Sequence, residues 1–445
     1  MIAWLSTHYP PTEVGGSGES VRLAAEALAR HEDLCVLTPR WDRALPAWDH
    51  VGGVRIYRYD VEAAWPVSSE RFFLSRSWRL ATAQAVAHVN GVDKIRLLHA
   101  QDRRCLRGAS VAARALGVPW LVTLRDVALC CPITTCLLTS PTIPADCGQV
   151  KLWLQCAGEY RARYPHPGSA TALKLRLAYR YAVLGRDRKS ARRADIVAFV
   201  SEGLRHVYAM AGWPGPGVRT AILPSPVSDA LPVSDEDAAL LRKRHGIGPE
   251  AHMVLFVGKP SPGKGWPLFA AAARATPGVY FVHVGPPPPS TSPAVFHVGS
   301  LPRPDVLTWM RAATLVCVPP ATPDALPRVA LEALSQGRPV VATPAGGLLE
   351  IVREGITGWL APAERYTATL QRVLKDAQGL RYATSRARVE VLARFGPGPT
   401  TERVLEVYRG VAVECGEPSA LRGEPREDSM TEAARANGGT NEYQA

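Results

Sequence analysis

The 445-residue sequence has no uninterrupted apolar run approaching the roughly 18 residues of a membrane-spanning helix, so no transmembrane segment is expected. It lacks a secretory leader pattern as well. The opening MIAWLSTHYPP has no basic region and reaches His8 and two prolines almost at once. The expected location is therefore cytoplasmic. No C-x2-C pair occurs, so the usual zinc spacing is missing. The nine cysteines are an odd number, which fits a reducing compartment better than a disulfide framework. No G-K-[ST] follows any glycine-rich stretch, which excludes a P-loop. No repeat with a period of roughly 20–50 residues is visible, which excludes a solenoid.

What is present is an ordinary globular composition with surplus positive charge. Hydrophobic residues are 47% and charged residues 21%. At roughly 100–200 residues per domain the chain holds two or three domains. Each is large enough to bury a core without disulfide or metal staples. Net charge is +12, which favours anionic partners. Residues 161–193 carry ten Lys and Arg against the single acid Asp187. Within them Leu173, Leu177, Tyr181 and Leu184 recur at helical spacing, while Lys174, Arg176, Arg180 and Arg188 fall elsewhere. That pattern is a cationic amphipathic helix. It reads equally as a docked helix with a solvated basic face and as a peripheral contact with an anionic membrane. Aromatics suited to base stacking are few there and no recognition motif occurs, so nucleic acid is not an expected partner.

Short apolar runs alternate with helical stretches. The first series is Ile2–Ser6, Leu34–Leu37, Ile95–His99, Trp120–Leu124 and Ile196–Val200. Near residue 223 the texture changes to ILPSPVSDALPVS, read as a linker. A second series follows: Val254–Val257, Tyr280–Val284, Ala294–Val298, Leu315–Val318 and Val340–Ala342. Strands alternating with helices predict α/β domains with parallel sheets. The expected division is 1–226 and 227–395 as two such domains, 396–415 as a terminal helix returning towards the first, and 416–445 as a disordered tail.

The densest chemistry lies in PATPDALPRVALEALSQGRPVVATPAGGLLEIV, 320–352. Pro327 suits a helix start and Gly337 its stop. A strand and a Gly-Gly turn opening a second helix at Leu348 follow. Two helix N-termini at strand carboxyl ends favour phosphates, because free N–H groups and the dipole attract anions. Asp324 precedes the first helix and Glu332 lies within it; ionised carboxylates suit sugar hydroxyls. In VLFVGKPSPGKGW, 254–266, a strand ends at Gly258 and delivers Lys259 and Lys264 to a loop, where two cations can flank a diphosphate. Each lysine alone could equally be a solvated loop residue, and Gly15, Gly16 and Gly18 a plain strand-to-helix turn. Asp235-Glu236-Asp237 looks like a metal-binding D-x-D, but Ser234 opens a helix there, so the acids complement its N-terminus. His99 reads as a strand-end residue without catalytic duty. Cys130, Cys131, Cys136, Cys147 and Cys156 read as loop thiols rather than a metal or redox site.

On these motifs the chain resembles the family-four retaining glycosyltransferases over roughly residues 1–412. The resemblance implies the GT-B fold, two tandem Rossmann-like domains facing a central cleft. It implies transfer of a hexose from a UDP- or GDP-linked donor to a hydroxyl of a glycan or lipid-linked acceptor, with no cofactor and no metal. The family's E-x7-E pair falls on Asp324 and Glu332, on donor sugar and ribose respectively. Its basic loop falls on Gly258, Lys259 and Lys264, and its G-G-x-x-E turn on Gly346, Gly347 and Glu350. The resemblance thus implies a nucleotide-sugar site of Gly15, Gly16, Gly258, Lys259, Lys264, Asp324, Leu326, Glu332, Gly346, Gly347 and Leu348. Lys259, Lys264, Asp324 and Arg125 are the implied catalytic residues. Three positions depart from the family pattern: Asp324 stands for Glu, Lys259 for Arg, and Arg125 for the histidine many relatives carry. Competing readings are a same-fold sugar-nucleotide epimerase or phosphorylase, and a non-catalytic basic membrane-binding protein. The Asp324–Glu332 spacing argues against the epimerase. A phosphorylase would carry a lysine-bound pyridoxal phosphate or a much longer chain.

Overall fold

The computed structural model describes residues 1–11, 15–62, 70–133, 147–164, 168–288 and 292–415. Cys136, residues 165–167 of the basic segment and the 416–445 tail lie outside them. The first domain is built on eight strands: β1 (Ile2–Leu5), β2 (Leu34–Pro39), β3 (Trp48–Val51), β4 (Val54–Tyr59), β5 (Leu97–Ala100), β6 (Trp120–Leu124), β7 (Ile196–Phe199) and β8 (Thr220–Ile222). Their order is β3-β4-β2-β1-β5-β6-β7-β8. The second has six: β9 (Met253–Val257), β10 (Tyr280–Val284), β11 (Phe296–Gly299), β12 (Leu315–Val318), β13 (Val340–Ala342) and β14 (Gly358–Leu360), in the order β11-β10-β9-β12-β13-β14.

Strands β1, β2, β5, β6 and β7 are buried at every residue, because helices cover both faces of the sheet. That double burial is why they read as continuous apolar runs. The second sheet is parallel throughout. The first is not: β3 pairs antiparallel with β4 at the edge. The hairpin turns on Gly52 and Gly53, both at positive φ, as a tight two-residue turn requires. Its outer strand WDHV is largely exposed and splits its two apolar residues, Trp48 and Val51, around Asp49 and His50, so it carries no apolar run to announce it.

The chain crosses between domains twice. The first crossing follows β8; the second follows the helix Ala377–Phe395. They lie side by side, with the Val227 N–H donating to the Phe395 carbonyl at 2.8 Å. The last helix, Pro397–Cys415, then packs on the first domain. Val404, Leu405, Tyr408 and Val411 join Ile2, Trp4, Val21 and Val36 in one core. His99 sits inside this junction, only 1% exposed, so it is a buried linchpin rather than a plain strand end. No helix among the described residues is long and apolar enough to cross a membrane.

The basic segment forms the helix Ala170–Ala191, with Leu173, Leu177 and Leu184 buried. Its one acid, Asp187, is buried too and takes Arg107 Nε at 2.5 Å. Two of its cations are not free surface charge. Arg180 donates to the Pro132 carbonyl, and Arg188 to those of Leu129 and Cys130. They fasten the segment that holds Cys130 and Cys131, both buried; burial pushes the Cys130 thiol up to about 12. No cluster of three or more metal-ligating side chains occurs among the described residues. Ser234 caps the helix Asp235–Arg244, its Oγ accepting from the Asp237 N–H at 3.0 Å.

Candidate functional site

The cleft between the domains opens at the carboxyl ends of both sheets, where ligands of doubly wound folds bind. It has two lobes. One, of about 300 Å³, is lined by Gly16, Ser20, Ser225, Gly258, Leu326 and Arg328 among others. The other, of about 580 Å³, is lined by Arg103, Arg104, Asp126, Tyr160, Tyr164 and Thr322 among others. Four residues line both lobes: Arg125, Lys259, Lys264 and Asp324.

The local folding that places them can be followed residue by residue. Strand β9 ends, and Gly258 turns the chain at φ +120°. Lys259 follows and is exposed; its carbonyl accepts from the Ser261 N–H at 2.9 Å, while among the described residues its ammonium has no hydrogen-bond or ion-pair partner. A single turn at Pro262–Lys264 brings Lys264 back over the cleft. Gly265 then takes φ +79° against Pro319, where a Cβ would stand 1.7 Å from the Pro319 carbonyl oxygen. No side chain fits there. Gly265→Ala is therefore expected to displace the loop and remove Lys264 from the cleft. The check is loss of ligand-induced thermal stabilisation in a variant whose circular dichroism matches wild type.

Lys264 Nζ lies 2.5 Å from Asp324 Oδ2. The carboxylate and the ammonium thus hold each other where a ligand with hydroxyls and phosphates would exchange with both. Arg125 projects from the end of β6. Its Nε donates to the Gln101 carbonyl, one terminal nitrogen to Gln101 Oε1 and the other to Ser225 Oγ. Burial pushes its guanidinium down to about 10, so it stays a cation at neutral pH. Fixed in this way, Arg125 is a preorganised charge rather than a swinging one.

Two helix N-termini face the first lobe: Gly16–Leu28, through Gly16, Ser17 and Ser20, and Arg328–Ser335, through Leu326, Pro327, Arg328 and Val329. The structure differs from the sequence expectation in which helix supplies the second one. The helix after the Gly-Gly turn, Leu348–Ile351, has only four residues and starts on a fully buried Leu348. Gly346, Gly347 and Leu348 do not line the cleft. The Gly347 N–H donates to the Asp324 carbonyl at 2.9 Å. A Cβ on Gly346 would meet that same carbonyl oxygen at 2.1 Å. The glycines thus let the backbone pack directly behind Asp324. Glu350 completes this support across the domains, accepting the Gly203 N–H at 2.7 Å, while Ser201 Oγ donates to the Ala325 carbonyl.

Glu332 faces the same region from the second turn of its helix, but it too lies outside the lobe walls. Its Oε1 accepts from Arg328 at 3.0 Å and pairs with Arg303 at 3.1 Å, and Arg303 also pairs with Glu19 of the first domain. Arg328 in turn donates to Ser20 Oγ and the Pro226 carbonyl. Gly15 is the exposed N-cap of its helix and Gly16 packs against Arg328.

Several contributors were not singled out from the sequence. Ser20 lies one turn beyond Gly16, and Arg328 one residue after the helix-starting Pro327, so local spacing could have found both. Tyr164 could not be found that way. It reaches from the first domain so that its hydroxyl accepts the Gly263 N–H at 3.0 Å, and it stacks on Tyr160 with centroids 5.1 Å apart. His283 is equally silent in sequence. It is fully buried behind the basic loop, and its Nε2–H donates to the Gly258 carbonyl at 2.9 Å. Its Nδ1 meets His297 Nδ1 at 3.0 Å. Burial lowers its pKa, so the ring is neutral and that Nδ1 accepts from His297.

Two facing α/β domains enclose a cationic cleft lined by two helix N-termini, an arrangement with the chemistry to receive anionic ligands. The comparisons narrow that description. Residues 251–376, which cover β9 to β14, match the family model "Glycosyl transferases group 1". A D-inositol 3-phosphate glycosyltransferase from Kribbella flavida is 38% identical over 115 residues, 25% of this chain and 27% of that protein. One from Acidothermus cellulolyticus is 33% identical over 227 residues, 45% of this chain and 48% of the relative. The chain thus spans half or less of the length of these curated relatives. Among solved structures, sucrose-phosphate synthase from Thermosynechococcus elongatus superimposes with a TM-score of 0.70 at 20% identity, over 93% of this chain and 99% of that one. Anabaena HepE, solved with UDP-glucose, does so at 0.63 and 19% identity, over 92% and 99%. The fold is GT-B.

Proposed function

We propose that this protein is a retaining glycosyltransferase that moves a hexose from a nucleoside-diphosphate sugar to an acceptor hydroxyl. The observation that carries this reading is that Arg125, Lys259, Lys264 and Asp324 stand at the boundary of the two lobes. A donor in the smaller lobe and an acceptor in the larger would meet at those four side chains. The diphosphate would lie between the N-termini of the Gly16–Leu28 and Arg328–Ser335 helices and the two lysines. Asp324 would accept hydrogen bonds from the sugar hydroxyls. In front-face attack the departing phosphate oxygen takes the acceptor's proton, so the protein contributes positioning and charge stabilisation. The bound UDP-glucose of the HepE structure supports a uridine donor.

Glu332 tests the donor half. Its carboxylate would exchange an arginine for the ribose hydroxyls. Charge-assisted hydrogen bonds of this kind contribute about 1.5–3 kcal/mol, so Glu332→Ala should weaken nucleoside diphosphate binding roughly ten- to a hundredfold. A folded variant that binds the nucleotide as tightly as wild type would remove the ribose assignment. With two lysines on the leaving diphosphate, activity is expected to survive EDTA.

The larger lobe presents Arg103 and Arg104 besides the four shared residues. This supports an acceptor bearing a phosphate, in keeping with the inositol 3-phosphate named for the curated relatives. Such an acceptor could be soluble or lipid-linked at the cytoplasmic face. The second form is supported by exposed apolar side chains, Val150, Leu154, Leu175 and Tyr179, on neighbouring helical segments beside exposed Arg176, Arg186 and Lys189. Each cation near an anionic leaflet contributes about 1 kcal/mol. Wild type should therefore pellet at low salt with vesicles containing about a third anionic lipid, and release as salt rises. Changing Arg176, Arg186 and Lys189 to Gln should abolish pelleting. Arg180 and Arg188 must stay, because they hold the Leu129–Pro132 backbone. Failure of wild type to pellet would assign a soluble acceptor.

A further inference from the structure

A second cationic groove lies in the second domain and shares no lining residue with the cleft. It runs between the helix Asp235–Arg244 with its following loop, the end of the helix Arg303–Ala312, and the start of the helix Ala377–Phe395. Its volume is about 970 Å³. Arg242, Arg311, Arg338 and Arg381 line it, against Asp235 and Glu250.

These arginines are not equivalent. Arg242 is fully used: it donates to the carbonyls of Gly248, Pro249, Ala251 and Ala312. Arg311 is also satisfied. It donates to the Gln336 carbonyl at 2.8 Å and places Nε and a terminal nitrogen 3.0 and 2.8 Å from Asp235 Oδ1. Arg338 differs from both. Its side chain is 21% exposed, yet it makes no hydrogen bond among the described residues, and its Nε is buried without a partner. Among the described residues its one acidic partner is the same Asp235 Oδ1, at 4.0 Å, already taken by Arg311. Two guanidiniums therefore converge on a single carboxylate oxygen of a side chain that is 73% exposed. A half-buried guanidinium with no hydrogen bond is costly, and its planar fork matches an oxyanion. Helix capping explains Arg311 but leaves Arg338 unexplained.

We propose that this groove is a binding site for a phosphate-class oxyanion, taken in by Arg338 and Arg311 in place of the Asp235 carboxylate. A phosphate has oxygens enough to fill the Arg338 fork while keeping the Arg311 contact. Asp235 is the exposed, displaceable stand-in. The site lies at the carboxyl end of the Arg328–Ser335 helix, whose other end faces the donor lobe about 12 Å away at 1.5 Å per residue. It does not depend on the reaction proposed for the cleft.

The test is calorimetric titration of the full chain with inorganic phosphate, at ionic strength held constant with KCl. A Lys259→Ala, Lys264→Ala background lowers phosphate binding by the cleft; Arg103, Arg104 and Arg125 remain there, so binding is assigned to the groove by its response to Arg338→Gln and Asp235→Asn. In that background, saturable phosphate binding should persist. Arg338→Gln should weaken it at least tenfold. Asp235→Asn should tighten it severalfold, because the competing carboxylate is gone; this exposed position gives a readout even if Arg338→Gln folds poorly. A non-specific basic surface would show weakening with neither change. Binding lost in the cleft background, unaltered by Arg338→Gln, or weakened by Asp235→Asn would overturn the proposal. Glucose 6-phosphate serves as a second probe. Tighter binding than inorganic phosphate would assign a phosphorylated small molecule to the groove, and equal binding would assign phosphate itself.

Discussion

Lys264→Ala is expected to lower kcat by about a hundred- to a thousandfold, with a smaller loss in nucleotide affinity. Removing one preorganised donor from a developing oxyanion costs about that much. In the proposed reaction the lysine would meet a charge that grows as the glycosidic bond breaks, so its effect would belong mainly to the transition state. The structure adds a complication. Lys264 neutralises Asp324 at 2.5 Å. Deleting it leaves a lone carboxylate beside an incoming diphosphate, which penalises binding as well. The Lys264→Ala, Asp324→Ala double variant separates the two effects. It should regain nucleotide affinity over the single variant while kcat stays low. If instead Lys264→Ala raises KM and leaves kcat intact, the lysine only binds.

The second large effect is on stability, at the junction of the last helix with the first domain. Trp4 Nε1–H donates to the Tyr408 hydroxyl at 2.8 Å, and that hydroxyl meets His99 Nδ1 at 2.6 Å. His99 Nε2 reaches Thr123 Oγ1 at 2.7 Å. The neutral ring fits this chain, with Nδ1 accepting from Tyr408 and Nε2–H donating to Thr123. Burial, then the charge of Arg125, lowers the pKa from 6.5 to about 3. The folded state therefore refuses a proton that the unfolded chain accepts. The contribution is complete above pH of about 6.5 and is lost as pH falls towards about 3, at a slope of about 1.4 kcal/mol per pH unit. Its full span, about 5 kcal/mol, is comparable with the whole stability of a domain. Chemical denaturation at several pH values should show this slope in wild type. His99→Gln, which cannot titrate, should be less stable at pH 7 and flatter below it. Parallel profiles would show that His99 is not the linked group.

Much of the fold was legible because its strands are buried on both faces and so spell uninterrupted apolar runs. Pro327 and Gly337 punctuated the helix between Asp324 and the following strand for equally local reasons. The basic loop was legible because Gly258, Lys259 and Lys264 follow one strand end in close succession. What escaped was whatever depends on distant partners. The outer strand of the β3–β4 edge hairpin is short and exposed, so only its pairing with β4 defines it. Glu332 carries no sign that Arg303 of the same domain and Glu19 of the other will share its charge network. Nothing in the basic helix says that Arg180 and Arg188 turn inward while Arg176 and Arg186 do not. The turn at Gly346-Gly347 was visible, but its use as a close-packed support for Asp324 rests on a clash distance, which only coordinates supply.

The paired crossings joined by Val227 and Phe395 bear on how the cleft can open. A single connecting strand would let one domain swivel and twist freely about the other. Two connections tied together side by side act as a double spine, which resists twist and leaves hinge opening as the easier motion. Because the second connection ends in a helix anchored by Trp4, Tyr408 and His99, that spine is fastened at a core and not at a loose end. Arg125 stands in one domain and Lys264 with Asp324 in the other, so the angle of the spine sets the distance between them.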